Sequence, residues 1–357
     1  LTEESEPRYR QDRIEAVRAM GRIAAEEECA FMVVAGDVLD SNQIDPRTVS
    51  RAAEALRDVP VPVYLLPGNH DAADASSMLC SGAFERVRPE NVFVLKDAGA
   101  VTVAPGVELV AAPWRTRRPL SDLVGDACRG LEPGPIRILL GHGAVDVLAP
   151  DKDDPALVDV ARAEAALASG TVHYVALGDR HSATSVGRTG RIWYSGTPEP
   201  TAFDEARPGE VLVVRLDREG IEVRPRQVGH WTFRRLEQHL AGPEDVAAFR
   251  DALGALPNKE RTALRLAVTG TLTLQAHAAY RAVLDQAGDL FAALTVSEGR
   301  SDLVVVPHET DFGDLELAGF AREALVALRS SARAGGPDAE TARDALGLLV
   351  RLAGRAS

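Results

Sequence analysis

Short apolar runs, each cut off by a glycine, recur along the first two thirds of the chain. Met32–Ala35 and Val61–Leu66 read as buried strands, and Thr48–Arg57 between them has the spacing of an amphipathic helix. Strand, helix, strand in that order predicts two parallel strands whose C-terminal ends lie side by side. A longer helix is expected over Arg8–Glu27, with Ile14, Val17, Met20, Ile23 and Ala24 on one face. Asp71–Glu85 is polar and small and predicts a loop running into a short helix. Asn91–Leu95, Ala100–Val103 and Val107–Ala111, punctuated by Asp-Ala-Gly and Pro-Gly, predict antiparallel strands. Further strands are expected at Ile136–Leu140, Val172–Leu177, Ile192–Tyr194 and Val211–Leu216, with a helix at Val160–Leu167.

The C-terminal third changes character. A basic stretch from Arg224 to Arg235 with two interleaved aromatics reads as the crossover, more readily a strand and linker than a surface for nucleic-acid backbone. Helix Pro243–Ala255, strand Thr262–Thr273, helix Ala276–Ala287 and strand Asp302–Pro307 follow. Two more helices are expected at Phe312–Ser331 and Ala339–Leu352, joined by Ala334-Gly335-Gly336-Pro337. The pattern divides the chain at 1–222, 223–310 and 311–357. His277 and His308 are given no catalytic role.

Composition narrows the class. The 357 residues, 45% hydrophobic and 26% charged, are those of a soluble globular protein with room for two domains. No apolar run approaches the ~20 residues a membrane span needs, and no signal peptide is visible. Cys29, Cys80 and Cys128 are odd in number and scattered, which fits reduced thiols in a cytoplasmic protein. A net charge of −13 argues against a basic nucleic-acid coat, so a polyanion partner requires a local patch or a metal. Arg115, Arg117 and Arg118, next to Trp114, are the candidate patch. A phosphate grip and a solvated loop with a packed tryptophan explain that stretch equally well.

The chemistry sits where the apolar runs end. Gly36-Asp37, Gly68-Asn69-His70-Asp71, Gly141-His142 and Gly178-Asp179-Arg180-His181 each place metal-ligating side chains at a strand terminus. Open α/β sheets bind ligands at that edge. A lone Gly-Asp or a single buried histidine is more often structural, but four such termini in series point to a metal. Imidazole nitrogens mixed with carboxylate and amide oxygens suit Mn²⁺, Fe²⁺ or Zn²⁺.

These four motifs, GDVLD (36–40), GNHD (68–71), GHG (141–143) and GDRH (178–181), resemble the ordered signature of calcineurin-like metallophosphoesterases. Residues 81–95 (SGAFERVRPENVFVL) and 194–205 (YSGTPEPTAFDE) are similar to the SbcD branch of DNA-repair nucleases. The resemblance covers about residues 10–216 and implies a two-sheet α/β sandwich flanked by helices, with a small α+β capping domain behind it. It implies that Asp37 bridges two metals, that Asn69 and His142 ligate the second, and that His181 ligates the first. His70 would face the scissile phosphate, and Asp71 would orient His70. Asp179, where that branch usually has histidine, would be a harder oxygen ligand favouring Mn²⁺ or an outer acceptor. The implied reaction is in-line hydrolysis of a phosphodiester by two cations, ~3.5–4 Å apart. The implied partners are DNA, an SbcC-like coiled-coil ATPase docked on the C-terminal helices, and a second copy in a homodimer.

The family also carries a first motif on a strand ahead of a helix like Arg8–Glu27, and nothing here matches it. We expect the natural polypeptide to extend further at its N-terminus; a chain beginning at Leu1 would hold its first metal weakly. A phosphodiesterase of small nucleotides, or a DNA-binding scaffold with an impaired site, are the other functions the sequence allows, because the motifs set the reaction and not the substrate.

Overall fold

A computed structural model describes residues 1–218, 220–306 and 319–334, with positions 339, 341, 342, 345, 346 and 349. His308, the Gly335-Gly336-Pro337 linker and most of the expected last helix lie outside the described residues. Two compact units are present, one of Pro7–Trp231 and one of Thr232–Ser357 with Leu1–Glu6.

The larger unit begins with α1 (Ser5–Glu26) and runs through β1 (Met32–Ala35), α2 (Pro46–Arg57), β2 (Val63–Leu66), α3 (Gly82–Glu85) and β3 (Val92–Val94). Then come β4 (Gly99–Ala104), β5 (Val107–Ala111), α4 (Leu123–Ala127), β6 (Ile136–His142), α5 (Val160–Ala168) and β7 (Tyr174–Gly178). β8 (Thr184–Val186), β9 (Ile192–Tyr194), β10 (Glu210–Leu216) and β11 (Ile221–Gln227) complete it. Side-chain caps start the short helices: Asp122 accepts from Gly125 N–H at 2.8 Å, and Asp159 from Arg162 N–H at 3.0 Å.

β1, β2 and β3 form a three-stranded parallel sheet. A six-stranded sheet has the order β4-β5-β6-β7-β9-β8, parallel except for its outermost pairs. One core joins Ala35, Tyr64 and Leu66 of the first sheet to Leu109, Leu140 and Tyr174 of the second. The outer faces are covered separately, β1 and β2 by residues of α2 and α3, and β6 and β7 by residues of α4 and α5. Leu65, Leu66, Leu139, Leu140 and Leu177 are fully buried, and each stabilises the fold by about 1.5–3 kcal/mol. This mixed α/β architecture, with two sheets sharing one core, is consistent with the sandwich expected from the sequence.

Two local expectations need correction. β3 is not antiparallel to β4; it joins β2 in parallel in the other sheet, because Val63 N–H reaches back to the Asn91 carbonyl at 2.8 Å. Strand β2 starts at Val63 rather than Val61; Pro62 has no N–H to give the ladder, although its carbonyl accepts from Met32 N–H at 2.8 Å. The basic stretch is two strands and a short connection, as its strand-and-linker reading expects: Arg224 and Arg226 belong to β11, and Arg234 and Arg235 to the next strand.

The smaller unit contains β12 (Thr232–Leu240), α6 (Pro243–Ala255), β13 (Thr262–Thr273), α7 (Leu274–Gly288), β14 (Ala293–Val296), β15 (Asp302–Val306) and α8 (Phe320–Ala334). All its strands are parallel. β12 lies along one side of β13, while β14 and β15 pair with the first and last parts of the same strand. Phe249, Leu253, Leu264, Leu266, Tyr280 and Leu284 fill its core.

Candidate metal centre

The C-terminal ends of β1, β2, β6 and β7 deliver the candidate ligands, and two glycines let the ends approach. A Cβ on Gly36 would lie 2.1 Å from His142 Nδ1, and one on Gly178 would lie 1.7 Å from the Ala35 carbonyl oxygen. His142 Nδ1 donates to that carbonyl at 2.8 Å, so its Nε2 faces the site as the available lone pair of the neutral ring. Around Nε2 stand Asp37 Oδ2 at 3.3 Å and Asp179 Oδ1 at 4.0 Å. The Asn69 amide, turned nitrogen inward, donates to His142 Nε2 at 2.8 Å and to both Asp37 oxygens at 3.1 and 3.2 Å. Asp37 and Asp179 hold left-handed backbone conformations, φ 50° and 96°. Non-glycine residues adopt these at a cost of about 1–3 kcal/mol when the surroundings impose them.

Asp37, Asn69, His142 and Asp179 therefore meet at one point. Among the described residues, no group of three or more His, Cys, Asp or Glu side chains is already spaced to coordinate an ion. The donors are instead drawn together by hydrogen bonds, with the Asn69 NH₂ between a carboxylate and an imidazole. Rotating that amide would present its oxygen at the same place. The donor set fits a divalent cation of the Mn²⁺, Fe²⁺ or Zn²⁺ type, and the Nδ1 contact fixes the tautomer that ligation requires.

Charge points the same way. Burial pushes the Asp179 carboxyl up, and the neighbouring Asp37 adds to the rise. Burial also raises Asp71, against two backbone N–H donors. For Asp37, burial is outweighed by the neighbouring His142 ring and by the His70 backbone N–H that donates to it, and its carboxyl is held below the ordinary range. Several carboxylates crowded in a partly dry space gain from a shared cation.

The other predicted residues stand differently. His181 turns its Nδ1 away to other partners, 2.8 Å from Glu205 Oε1 and 2.7 Å from Thr201 Oγ1. The Glu205 contact holds the imidazole above its usual value, against burial. His70 is exposed, its backbone N–H on Asp37 at 2.9 Å and its ring Nδ1 3.1 Å from the Asp40 carbonyl. Asp71 is buried and accepts from Gly68 N–H at 2.7 Å and Leu39 N–H at 3.0 Å, and so braces the two loops rather than the His70 ring. Arg115, Arg117 and Arg118 are exposed, while Trp114 packs edge-on to His142 and donates Nε1–H to its carbonyl at 2.7 Å.

Glu205 is the site residue that sequence reasoning missed. Its carboxylate, 5% exposed, also accepts from Thr201 N–H, Thr201 Oγ1–H and Ala202 N–H. The only sequence signal was its place in the 194–205 stretch.

The family model of the Calcineurin-like phosphoesterase matches residues 10–183, the segment that carries all four strand-end motifs. That segment is therefore similar to this superfamily. No curated protein matches the chain. Among the described residues, no helix is long and apolar enough to cross a membrane.

Proposed function

We propose that the protein is a metal-dependent phosphodiester hydrolase acting on DNA, of the SbcD nuclease type. The observation that carries this reading is the meeting of Asp37, Asn69, His142 and Asp179 at the ends of four strands. The similarity of residues 81–95 and 194–205 to DNA-repair nucleases adds the substrate class. When bound, divalent cations would supply charge stabilisation for the phosphate in the transition state. Asp37, Asn69 and His142 would hold them, with Asp179 and His181 as further ligands. His70, whose Nδ1 side is taken by the Asp40 carbonyl, would give a proton to the leaving oxygen. Trp114 and Asp71 keep the loops in position.

In this reading the smaller unit is a capping domain that selects DNA shape, and α8 belongs to the region that docks an SbcC-like coiled-coil ATPase. The working form is a homodimer in the cytoplasm, where Cys29, Cys80 and Cys128 stay as free thiols. Mn²⁺ is the favoured ion. A second reading, hydrolysis of a small nucleotide phosphodiester, is favoured by the net charge of −13, which weakens affinity for a long polyanion. Linear duplex DNA and a cyclic nucleotide, each assayed with Mn²⁺, separate the two. The proposal expects cleavage of DNA; turnover of the cyclic nucleotide alone would favour the second reading. DNA binding without any cleavage would indicate a scaffold.

A further inference from the structure

His70 is exposed, and its ring is placed by the Asp40 carbonyl, 3.1 Å from Nδ1. A carbonyl only accepts, so the proton of that bond sits on Nδ1 and Nε2 is the nitrogen left to act. Whatever fixes the carbonyl therefore fixes His70. Two ties join its loop to the loop that carries His70 itself. Asp71 accepts from Leu39 N–H at 3.0 Å, and the buried Asn42 accepts from Met78 N–H at 3.0 Å. A third tie comes from α1. Arg13 holds the Asp40 carboxylate with both ends of its fork, Nη1 to Oδ2 at 2.7 Å and Nη2 to Oδ1 at 3.0 Å. Its hydrogen bonds keep the Asp40 carboxyl below the ordinary range, against burial. One turn earlier on the same helix, the Tyr9 ring lies 5.9 Å from the Arg13 guanidinium, and its hydroxyl donates to the Pro200 carbonyl at 2.7 Å. Next in the chain is Thr201, whose hydroxyl lies 2.7 Å from His181 Nδ1. α1 thus reaches both loops that hold His70 and His181.

We propose that Arg13 is a positioning residue for His70, acting through the Asp40 carboxylate to hold the carbonyl that keeps the proton on Nδ1. The inference rests on the reading of His70 as proton donor to the leaving oxygen. Its physical basis is the difference between what this ion pair gives to stability and what it gives to geometry. Asp40 is exposed and Arg13 half-buried, and ion pairs so open to water add little to stability. A reacting group, by contrast, needs its place set closely, and a shift of about 1 Å can cost about 10²-fold in rate. A two-pronged guanidinium restrains both the distance and the twist of the carboxylate, and the main chain of the same residue is restrained with it. Lysine, a point charge, would restrain the distance alone.

Nitrogen-15 spectra of the metal-free full chain at pH 9 read the His70 tautomer, and turnover of bis(4-nitrophenyl) phosphate with Mn²⁺ reads the reaction. The wild type should carry the His70 proton on Nδ1. Arg13→Met and Asp40→Ala should each release it to a mixture of the two tautomers, with a melting temperature close to the wild-type value. Each should lower kcat by about 10–100-fold and leave KM nearly unchanged. The double variant should go no further than either single one, because both remove the same link. Arg13→Lys should recover only part of the loss. Arg18→Met breaks a comparable pair on the same helix, Arg18 with Asp58 at 3.1 Å, and should move neither reading. A His70 tautomer unmoved by Arg13→Met and Asp40→Ala, or a wild-type kcat in both, overturns the proposal. A wild type that turns over no phosphodiester removes the hydrolase reading instead, and the spectra still decide whether Arg13 places the ring.

Discussion

His142 shows how one hydrogen bond sets a residue's chemistry. Because Nδ1–H is spent on the Ala35 carbonyl, Nε2 is the only ring nitrogen left for an ion. His181 repeats the device with a carboxylate, Glu205, in place of a carbonyl. Replacing Glu205 by glutamine puts an amide N–H where an acceptor is needed. Mn²⁺ affinity, measured by electron paramagnetic resonance, should fall by roughly 10–100-fold, with little change in melting temperature. An unchanged affinity would mean that the Glu205 contact only packs the loop. His70 should behave in the opposite way. His70→Ala is expected to keep Mn²⁺ binding and to lose about 10²–10⁴-fold in phosphodiester turnover; cleavage at the wild-type rate would remove it from the reaction.

At the scale of elements, the site is a matter of strand ends brought unusually close. Gly178→Ala forces a methyl into the Ala35 carbonyl, and overpacking of that kind costs about 1–3 kcal/mol. Thermal unfolding should show a drop of several degrees, and a wild-type melting temperature would mean the strand ends are not packed this tightly. The sequence revealed these elements where period and punctuation agreed. β1, α2, β2 and the glycines that end the strands could be placed, as could α6 and β13, because each is a local pattern. Sheet membership was not local. Val92–Val94 looks like its neighbours Gly99–Ala104 and Val107–Ala111, and only the Asn91 carbonyl beneath Val63 sends it to the other sheet. The arginines of β11 read as a possible nucleic-acid surface, but Arg224 and Arg226 pair with Glu27, a residue nearly 200 positions away. In the site, the ligand types could be read from the motifs, whereas Glu205 could not, since an acidic residue in a polar loop carries no mark of what it will hold.

For the molecule as a whole, thiol chemistry follows from burial. Burial, helped by Asp122, pushes the Cys128 thiol up to about 11, and Cys29 is raised by burial and Glu27. Cys80 is exposed. Since the thiolate is the reactive form, iodoacetamide at pH 8 should label Cys80 in the native protein and reach Cys128 only on unfolding, as peptide mass spectrometry would reveal. Labelling of Cys128 at the same rate would contradict the packing around α4. The larger unit presents a sandwich in which the ends of four strands bring Asp37, Asn69, His142 and Asp179 to one hollow.

Equilibrium Mn²⁺ binding to the wild type, Asp37→Asn and His142→Gln tests that hollow most directly. Losing a ligand should cost at least as much as losing a residue behind it, so each variant should bind at least about 100-fold more weakly while remaining folded. A wild type that binds no Mn²⁺, or variants that bind it as tightly as the wild type, would contradict the account.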